Sequence, residues 1–551
     1  MAMIRFSEDK GYDSMLREGT RDAVNAAWTR WALWLLLPAG LLVRAAGLEQ
    51  VPPALNSDEL LKVFDGASVY RTGRDHHGHA WPLFFEQSGE YSPPLYIYFA
   101  GLFSAACGIN AYTARLPSAV LGTGSILMTY WFVAVWAGRK TGLLAAALVA
   151  VSPWNVHYSR IGWEAIALVP LQLGGLWLFV RWTQTSSLRD VVVSGVFWGL
   201  TVYAYPVARL STFLMLAGLL LVYAPVLREK IRQAAAALLV LTGMLTPYVA
   251  AVWQNGEAMQ KRWQFVSIWN RDDWLPLFFQ HYFGHLSPRF LFLTGNENSL
   301  HFMAGGVALG VLLPFFVVGL IVLIRNRRRE HWLLLFWLLT FAIPSSLTYD
   351  RYDPGSMPNA LRSINGNPLL EIIGAVGIVT ALEWIAHPRW VRFAGGIVTG
   401  AALINAAAVG YDYAVRYPVY SAPEWQYGLK EAVQFVESRQ ADYDRIIVSH
   451  QVRLHPVALA CFAGREPGPF RGADFPKYVL PFYHYTPMYR DFRGMEYERY
   501  KPVARWYTLA PGRNLILVKA GEIEGEPVWR ISYPDGTPAY EVFESQGEGR
   551  Y

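Results

Sequence analysis

WALWLLLPAGLLVRAAGL, running from Trp31 to Leu48, is followed after a short linker by Asn56-Ser57-Asp58-Glu59, and this succession decides how the rest of the chain is read. The apolar run is just long enough to cross a bilayer. Residues 1–30 before it are polar and carry Lys10, Arg17, Arg21 and Arg30, which places the N-terminus in the cytoplasm and Asp58 and Glu59 outside. The run reads as an uncleaved signal anchor, with cleavage near Ala45-Ala46 as the alternative. Two adjacent carboxylates at the point where lipid gives way to water can stay ionised and accept a proton. Their apolar neighbours leave room for a lipid.

Outward from that stretch, composition agrees. The chain has 551 residues, 53% of them hydrophobic and only 16% charged, and the apolar residues fall in long runs, which is the mark of a polytopic membrane protein. The formal net charge of +6 sits in short basic clusters between those runs, so it signals topology and not nucleic-acid binding. Cys107 and Cys461 form neither a disulfide framework nor a thiolate metal site. The 22 tryptophans and 31 tyrosines suit a protein with much water–lipid boundary, or simply a large aromatic core.

Further apolar spans are expected near 117–137, 141–153, 165–181, 190–205, 207–227, 234–253, 303–324, 332–348, 367–386 and 393–410, which with the first gives about eleven by the length a bilayer requires. Arg139-Lys140, Arg181 to Arg189, Arg228 to Arg232, Arg325 to Arg329 and Arg389 to Arg392 then all fall on the cytoplasmic side. Counting Pro94 to Cys107 as a full span would destroy that agreement, so this piece is expected to be interfacial or re-entrant. The outside loops are 49–116, 154–164, 254–302 and 349–366. From Tyr411 the chain turns polar, and parity puts residues 411–551 outside as a small α/β domain. Its expected elements are a helix over Pro423 to Arg439 and strands at 444–449, 514–519 and 528–543, the last broken by a turn at Asp535-Gly536.

The outside loops hold the candidate chemistry. One carboxylate of Asp58-Glu59 can take a proton from a hydroxyl as that oxygen attacks a sugar carbon; the competing reading is a helix N-terminus, where Asn56, Ser57 and Asp58 cap and Glu59 favours the dipole. Asp75-His76-His77-Gly78-His79 could offer imidazole and carboxylate to a divalent metal, against a solvated Gly turn. His157-Tyr158-Ser159-Arg160 with Glu164 could bind a lipid phosphate through the arginine fork, against a snorkelling Arg paired with Glu164. Tyr203 to Arg209 and Arg362 repeat that signal more weakly, and His301 is either a site residue or a structural interfacial histidine.

Together these pieces resemble the GT-C class of membrane glycosyltransferases that includes protein O-mannosyltransferases and lipid A aminoarabinose transferases. The resemblance rests on Asn56-Ser57-Asp58-Glu59; on Thr72-Gly73-Arg74-Asp75 with Gly78 and Trp81-Pro82-Leu83; on Tyr91-Ser92-Pro93-Pro94-Leu95-Tyr96 and Ala114-Arg115-Leu116-Pro117-Ser118; and on Ser159-Arg160 with Glu164, Asn298-Ser299-Leu300-His301 and Pro358-Asn359-Ala360-Leu361-Arg362. It covers about residues 31–410 and not the tail. It implies an all-α polytopic GT-C domain over 31–410, between a cytoplasmic segment 1–30 and an extracytoplasmic α/β domain 411–551, in the plasma membrane. It implies inverting transfer of a sugar from a polyprenyl-phosphate carrier to a hydroxyl of a protein, lipid or glycan. Asp58 would be the general base with Glu59 beside it, and Arg160 would contact the carrier phosphate, with Glu164, His157, Asp75, His301 and Arg362 lining the substrate site. It names no definite cofactor, and a divalent metal is a candidate.

Two departures narrow this. Aminoarabinose transferases carry Glu-Lys before the double proline where this chain has Tyr91-Ser92, and residues 254–302 are too short to hold the β-trefoil of eukaryotic protein mannosyltransferases. No Gly-rich phosphate loop follows a strand, so a nucleotide sugar is not expected. A transporter or flippase of lipid-linked sugars is the competing class; it should place charges within spans and on broken helices, whereas the charges here gather at one membrane face.

Overall fold

The computed structural model describes residues 28–87, 90–256, 263–264, 266–301, 305–349, 357–470, 474–480 and 512–546. The cytoplasmic segment expected over 1–30 therefore lies almost wholly outside the described residues. The first helix, α1, is described over 28–45. It is followed by α2 (Ser57–Thr72), the hairpin β1 (Phe85–Gln87) and β2 (Glu90–Ser92), and α3 (Pro94–Cys107). Then come α4 (Ala111–Ala137), α5 (Arg139–Ala150), the short α6 (Pro153–Tyr158), α7 (Leu168–Thr185), α8 (Leu188–Thr201), α9 (Ala208–Glu229) and α10 (Ile231–Gln254).

Every expected apolar segment contains a helix, but six helices among the described residues are long and apolar enough to cross a membrane. They include α4, α9, α10, Ile364–Glu383 and Pro388–Tyr420. The difference from about eleven is one of helix length. α5, with 12 residues, covers roughly 18 Å at 1.5 Å per residue, short of a hydrocarbon core of about 30 Å. The sequence window counts apolar residues and does not see where the backbone turns.

α2 starts where its sequence says it should. The Asn56 side chain accepts from the Glu59 N–H at 2.9 Å while the Glu59 carboxylate reaches back to the Asn56 N–H, a complete capping box. Gly73 ends the helix in the left-handed region at φ 75°. α3 begins with Pro94 in its first turn and runs antiparallel to α2, with Ser104 Oγ donating to the Val63 carbonyl. Their contact is nearly backbone on backbone: a Cβ added at Gly66 would lie 2.3 Å from the Ile97 oxygen. Pro94–Cys107 is thus a 14-residue helix clamped onto α2, as its exclusion from the full spans anticipated.

Two buried arginines terminate helices. Arg44 donates to the Val149 and Ala150 carbonyls at the end of α5 and to Asn155 Oδ1. Arg160 does the same for α1, as described below. Arg44 is fully buried in the last turn of α1, and Glu371 is fully buried in the first turn of Leu369–Glu383, so both buried charges stand at helix ends. Arg44 is tolerated because its donors are taken up by carbonyls and an amide.

Among the described residues the tail forms a five-stranded sheet in the order β4-β3-β5-β7-β6, built from β3 (Arg445–Val448), β4 (Tyr478–Val479), β5 (Arg513–Lys519), β6 (Trp529–Ser532) and β7 (Pro538–Gln546). β3 pairs parallel with β4 and β5, and β7 runs antiparallel to β5 and β6. The helix expected from Pro423 begins only at Leu429, because Gln426 and Gly428 both adopt positive φ and break the backbone first. Leu60, Leu61 and Phe64 of α2 share one hydrophobic cluster with Leu454, Val457 and Val433 of the tail. Burying each such side chain contributes on the order of 1.5–3 kcal/mol, so α2 is held between the membrane helices and the tail sheet.

Candidate active site at the start of the second helix

Adjacent residues on a helix point about 100° apart, and this separates the acidic pair. Asp58 is exposed in the first turn of α2, whereas Glu59 is fully buried. The Glu59 carboxylate accepts from Arg115 Nε and Nη2, both at 2.8 Å, and from the Gly162 N–H at 2.7 Å. Arg115 spends its remaining donors on the Leu48, Pro52 and Ala54 carbonyls. A charge pair at zero exposure is tolerable because every hydrogen-bonding position around it is filled. The loop after α1, the start of α2, the start of α4 and the loop before α7 are thereby tied at one point.

Lys62 lies one turn beyond Asp58. Its Nζ is 3.3 Å from Glu164 Oε2 and 3.2 Å from the Asp58 carbonyl. Burial alone would lower the Lys62 pKa, but the charges of Glu164, Asp58 and Glu59 outweigh it and hold the ammonium above its ordinary value. Glu164, at 14% side-chain exposure, is thus a second carboxylate within reach of water beside the first. Asp58, Lys62 and Glu164 form an acid–base–acid cluster at the mouth of the site.

Arg160 is placed differently from a free phosphate fork. Its Nη1 donates to the Val43 and Arg44 carbonyls and its Nη2 to those of Gly47 and Val51, between 2.8 and 3.3 Å, so it caps the end of α1. His157 bonds through one ring nitrogen to the Tyr413 hydroxyl at 3.2 Å and through the other to the Leu300 carbonyl. Burial, then the neighbouring His301, pushes its pKa down to about 3. His301 packs edge-on against Trp163 at 5.4 Å, and burial together with the charge of Arg362 lowers it to about 3 as well. Arg362 Nη1 donates to Thr348 Oγ1 at 3.1 Å.

Asp75 is not brought to Asp58: it follows the far end of α2, whose 16 residues span roughly 24 Å at 1.5 Å each. Its carboxylate accepts from the His79 N–H at 2.8 Å and closes the 75–79 turn. His76 turns inward to Asp65 at 2.5 Å, and Gln87 donates to the other Asp65 oxygen at 2.7 Å. Among the described residues no group of three or more His, Cys, Asp or Glu stands where it could hold a metal ion.

Sequence reasoning missed Lys62, and gave Arg115 a place in a motif without a role. Lys62 had a legible signal, a lysine four residues after an aspartate on one helix face. It also put Arg209 below Arg160. The Arg209 guanidinium lies over Tyr248 at 5.0 Å and Phe84 at 6.0 Å, and its Nε and Nη2 are buried without a hydrogen-bond partner among the described residues. Phe84 and Tyr91 also line a cavity of about 410 Å³ with Pro247, Ala251, Gln254 and Asn255.

Comparison with known proteins accords with this architecture. Residues 91–253 match the model of the dolichyl-phosphate-mannose-protein mannosyltransferase family, a stretch that runs from β2 to α10 and leaves Asp58 outside it. A Bacillus subtilis (strain 168) protein with the provisional name mannosyltransferase YycA is 25% identical over 170 residues, 29% of this chain; the chain matches about a quarter of that protein's length, 24%. Among solved structures, ArnT from Cupriavidus metallidurans bound to undecaprenyl phosphate superposes with a TM-score of 0.56 over 93% of this chain and 98% of that one, at 12% identity. The archaeal oligosaccharyltransferase AglB from Archaeoglobus fulgidus, in complex with an inhibitory peptide and a dolichol-phosphate, gives 0.53 over 94% and 74%, at 11% identity. The chain thus shares its fold with ArnT and AglB, and six of its described helices are long and apolar enough to cross a membrane.

Proposed function

We propose that this chain, whose fold is that of the GT-C glycosyltransferases, transfers a sugar from a polyprenyl-phosphate carrier to an acceptor hydroxyl on the extracytoplasmic face of the membrane. The observation that carries the reading is the split of Asp58 from Glu59: one carboxylate free at a helix N-terminus, the other locked in an ion pair that fixes where the first one stands. The solved neighbours named above contain undecaprenyl phosphate and dolichol-phosphate, which supports a lipid-linked donor.

In this reading Asp58 accepts the proton of the acceptor hydroxyl as its oxygen bonds to the anomeric carbon. The bond from that carbon to the carrier phosphate breaks on the opposite face, so the configuration inverts and the electron pair leaves on the phosphate. Lys62, held between the carboxylates, orients Glu164, which accepts hydrogen bonds from sugar or acceptor hydroxyls. Glu59 is a positioning residue, and Arg160 ties α1 to the 157–164 loop. Arg209 takes over the phosphate role expected of Arg160, since two of its buried donors, Nε and Nη2, have no hydrogen-bond partner among the described residues whereas both terminal nitrogens of Arg160 serve carbonyls, and the aromatic walls beside it suit an isoprenoid. Residues 31–410 supply the membrane enzyme and 411–551 an outer domain, with a protein, lipid or glycan as acceptor.

The test is reconstitution. The protein in lipid vesicles, given a polyprenyl-phosphate sugar identified by mass spectrometry of co-purified lipid and a hydroxyl acceptor, should release polyprenyl phosphate and yield a glycoside of opposite anomeric configuration by NMR. Retention of configuration would sink the single-displacement mechanism. Donor carried across the bilayer without transfer would favour a flippase.

A further inference from the structure

Resting on the reading of Asp58 as the base, we infer that the turn over residues 421–428 of the tail is a clamp that sets the spacing of Asp58 and Glu164, with Gln426 as a positioning residue for the base. The outer domain is then part of the catalytic centre and not only a place for acceptors to land.

Two consecutive tail residues each touch the residue immediately before one of the two site carboxylates. Gln426 Oε1 accepts from both the N–H and the Oγ of Ser57, each at 3.0 Å, and Ser57 precedes Asp58. Trp425 stacks on Trp163 with ring centroids 6.0 Å apart, and Trp163 precedes Glu164. Both contacts are anchored from behind. Gln426 Nε2 donates to the Arg453 carbonyl at 3.1 Å, so the whole amide is engaged, and Trp425 Nε1 donates to the Tyr417 hydroxyl at 2.8 Å from a fully buried position. The Arg115 guanidinium that holds Glu59 lies over the same Trp425 ring at 5.5 Å.

The backbone shows that this placement is imposed. Gln426 sits at φ 56°, a left-handed conformation that a side chain with a Cβ adopts only when its surroundings over-determine it. Bonds from Gln426 N–H to the Pro423 carbonyl and from Leu429 N–H to the Gln426 carbonyl hold it there. Helix starts leave four N–H groups without intrahelical partners. Asn56 serves one of them, at Glu59, and Gln426 serves another, at Ser57. Because the Ser57 hydroxyl is also taken, the backbone immediately before Asp58 is tied to the tail at two points.

The experiment uses the full chain in membranes with a polyprenyl-phosphate sugar donor. Gln426→Leu, assayed on the folded fraction, should lower kcat about tenfold or more while the KM for the donor stays within about twofold and the thermal midpoint falls by no more than the loss of one helix cap explains, because small misplacements of a reacting group cost far more rate than binding. Gln426→Glu keeps the acceptor oxygen for Ser57, giving up only the bond to Arg453, and adds negative charge beside Asp58. Its kcat should recover at high pH, and the acid limb of its pH profile should move to higher pH, since a like charge raises the pKa of the base. Wild-type kcat in Gln426→Leu with Asp58→Asn inactive would overturn the clamp alone. An active Asp58→Asn would overturn both the clamp and the assignment of the base. A fall in activity that only tracks loss of folded protein would reduce Gln426 to a structural residue and also overturn the inference.

Discussion

Glu59 and Arg115 face each other through two parallel hydrogen bonds of 2.8 Å with neither side chain reaching solvent. Desolvating two charges is costly, and the pair repays it only while both members are present. Arg115→Met should therefore destabilise the folded protein by about 3–5 kcal/mol, and the double variant with Glu59→Gln by clearly less. Thermal unfolding in detergent of the single and double variants checks this; equal losses would show that the carboxylate does not depend on the guanidinium.

Stability should peak near pH 6.5, and the reason lies in the histidines where α2 meets the tail. Burial, then the charge of His76, lowers His77 to about 3, and burial, then His76 and His77, lowers His455 to about 3. Both bind protons more readily unfolded, so stability falls as pH drops from the ordinary histidine value of 6.5 towards 3. His76 has the opposite sign: burial would lower it, but Asp65 holds it above 6.5. Its contribution is present below 6.5 and is lost as pH rises through its folded value. Asp65, with its pKa lowered against burial by His76 and Gln87, contributes stability that is fully present above the ordinary carboxylate value of 3.8 and is lost only in stronger acid. Melting curves across pH should show His455→Asn flattening the acid limb and His76→Gln the alkaline one. A wild-type midpoint that rises steadily through pH 8 would contradict the His76–Asp65 assignment.

Two arginines that look alike in sequence should behave differently. Arg209→Gln should raise the KM for the lipid donor about tenfold, the scale of a charge-assisted hydrogen bond of roughly 1.5 kcal/mol, because its Nε and Nη2 have no hydrogen-bond partner among the described residues. Arg160→Met should lower folded yield and leave donor KM within about twofold, because that guanidinium serves carbonyls. Steady-state kinetics on the folded fraction of each variant decides. The reverse pattern would restore Arg160 as the phosphate ligand.

Much of this was legible in the chain itself. The capping box of α2 could be read from Asn56 and Glu59, because capping is local chemistry of four consecutive residues. The apolar segments announced their helices, although not which were long enough to cross. What could not be read were pairings across great sequence separation. Glu59 with Arg115, Ser57 with Gln426 and Trp163 with Trp425 are brought together only by packing, and nothing in a local window distinguishes Arg160, which caps a helix, from Arg209, which does not. Gln426 also shows how a local rule fails: Pro423 looked like a helix start, but backbone bonds to Pro423 and Leu429 hold Gln426 at a positive φ that no helix contains, with its side chain on Ser57.

The central claim is that Asp58 takes the proton, and sugar transfer by Asp58→Asn in reconstituted vesicles tests it most directly. The variant should fold, melt and bind donor as the wild type does, while turnover falls by about a hundredfold to ten-thousandfold, the range that removing a general base produces. Transfer at the wild-type rate, with the asparagine confirmed in the purified protein, would contradict it.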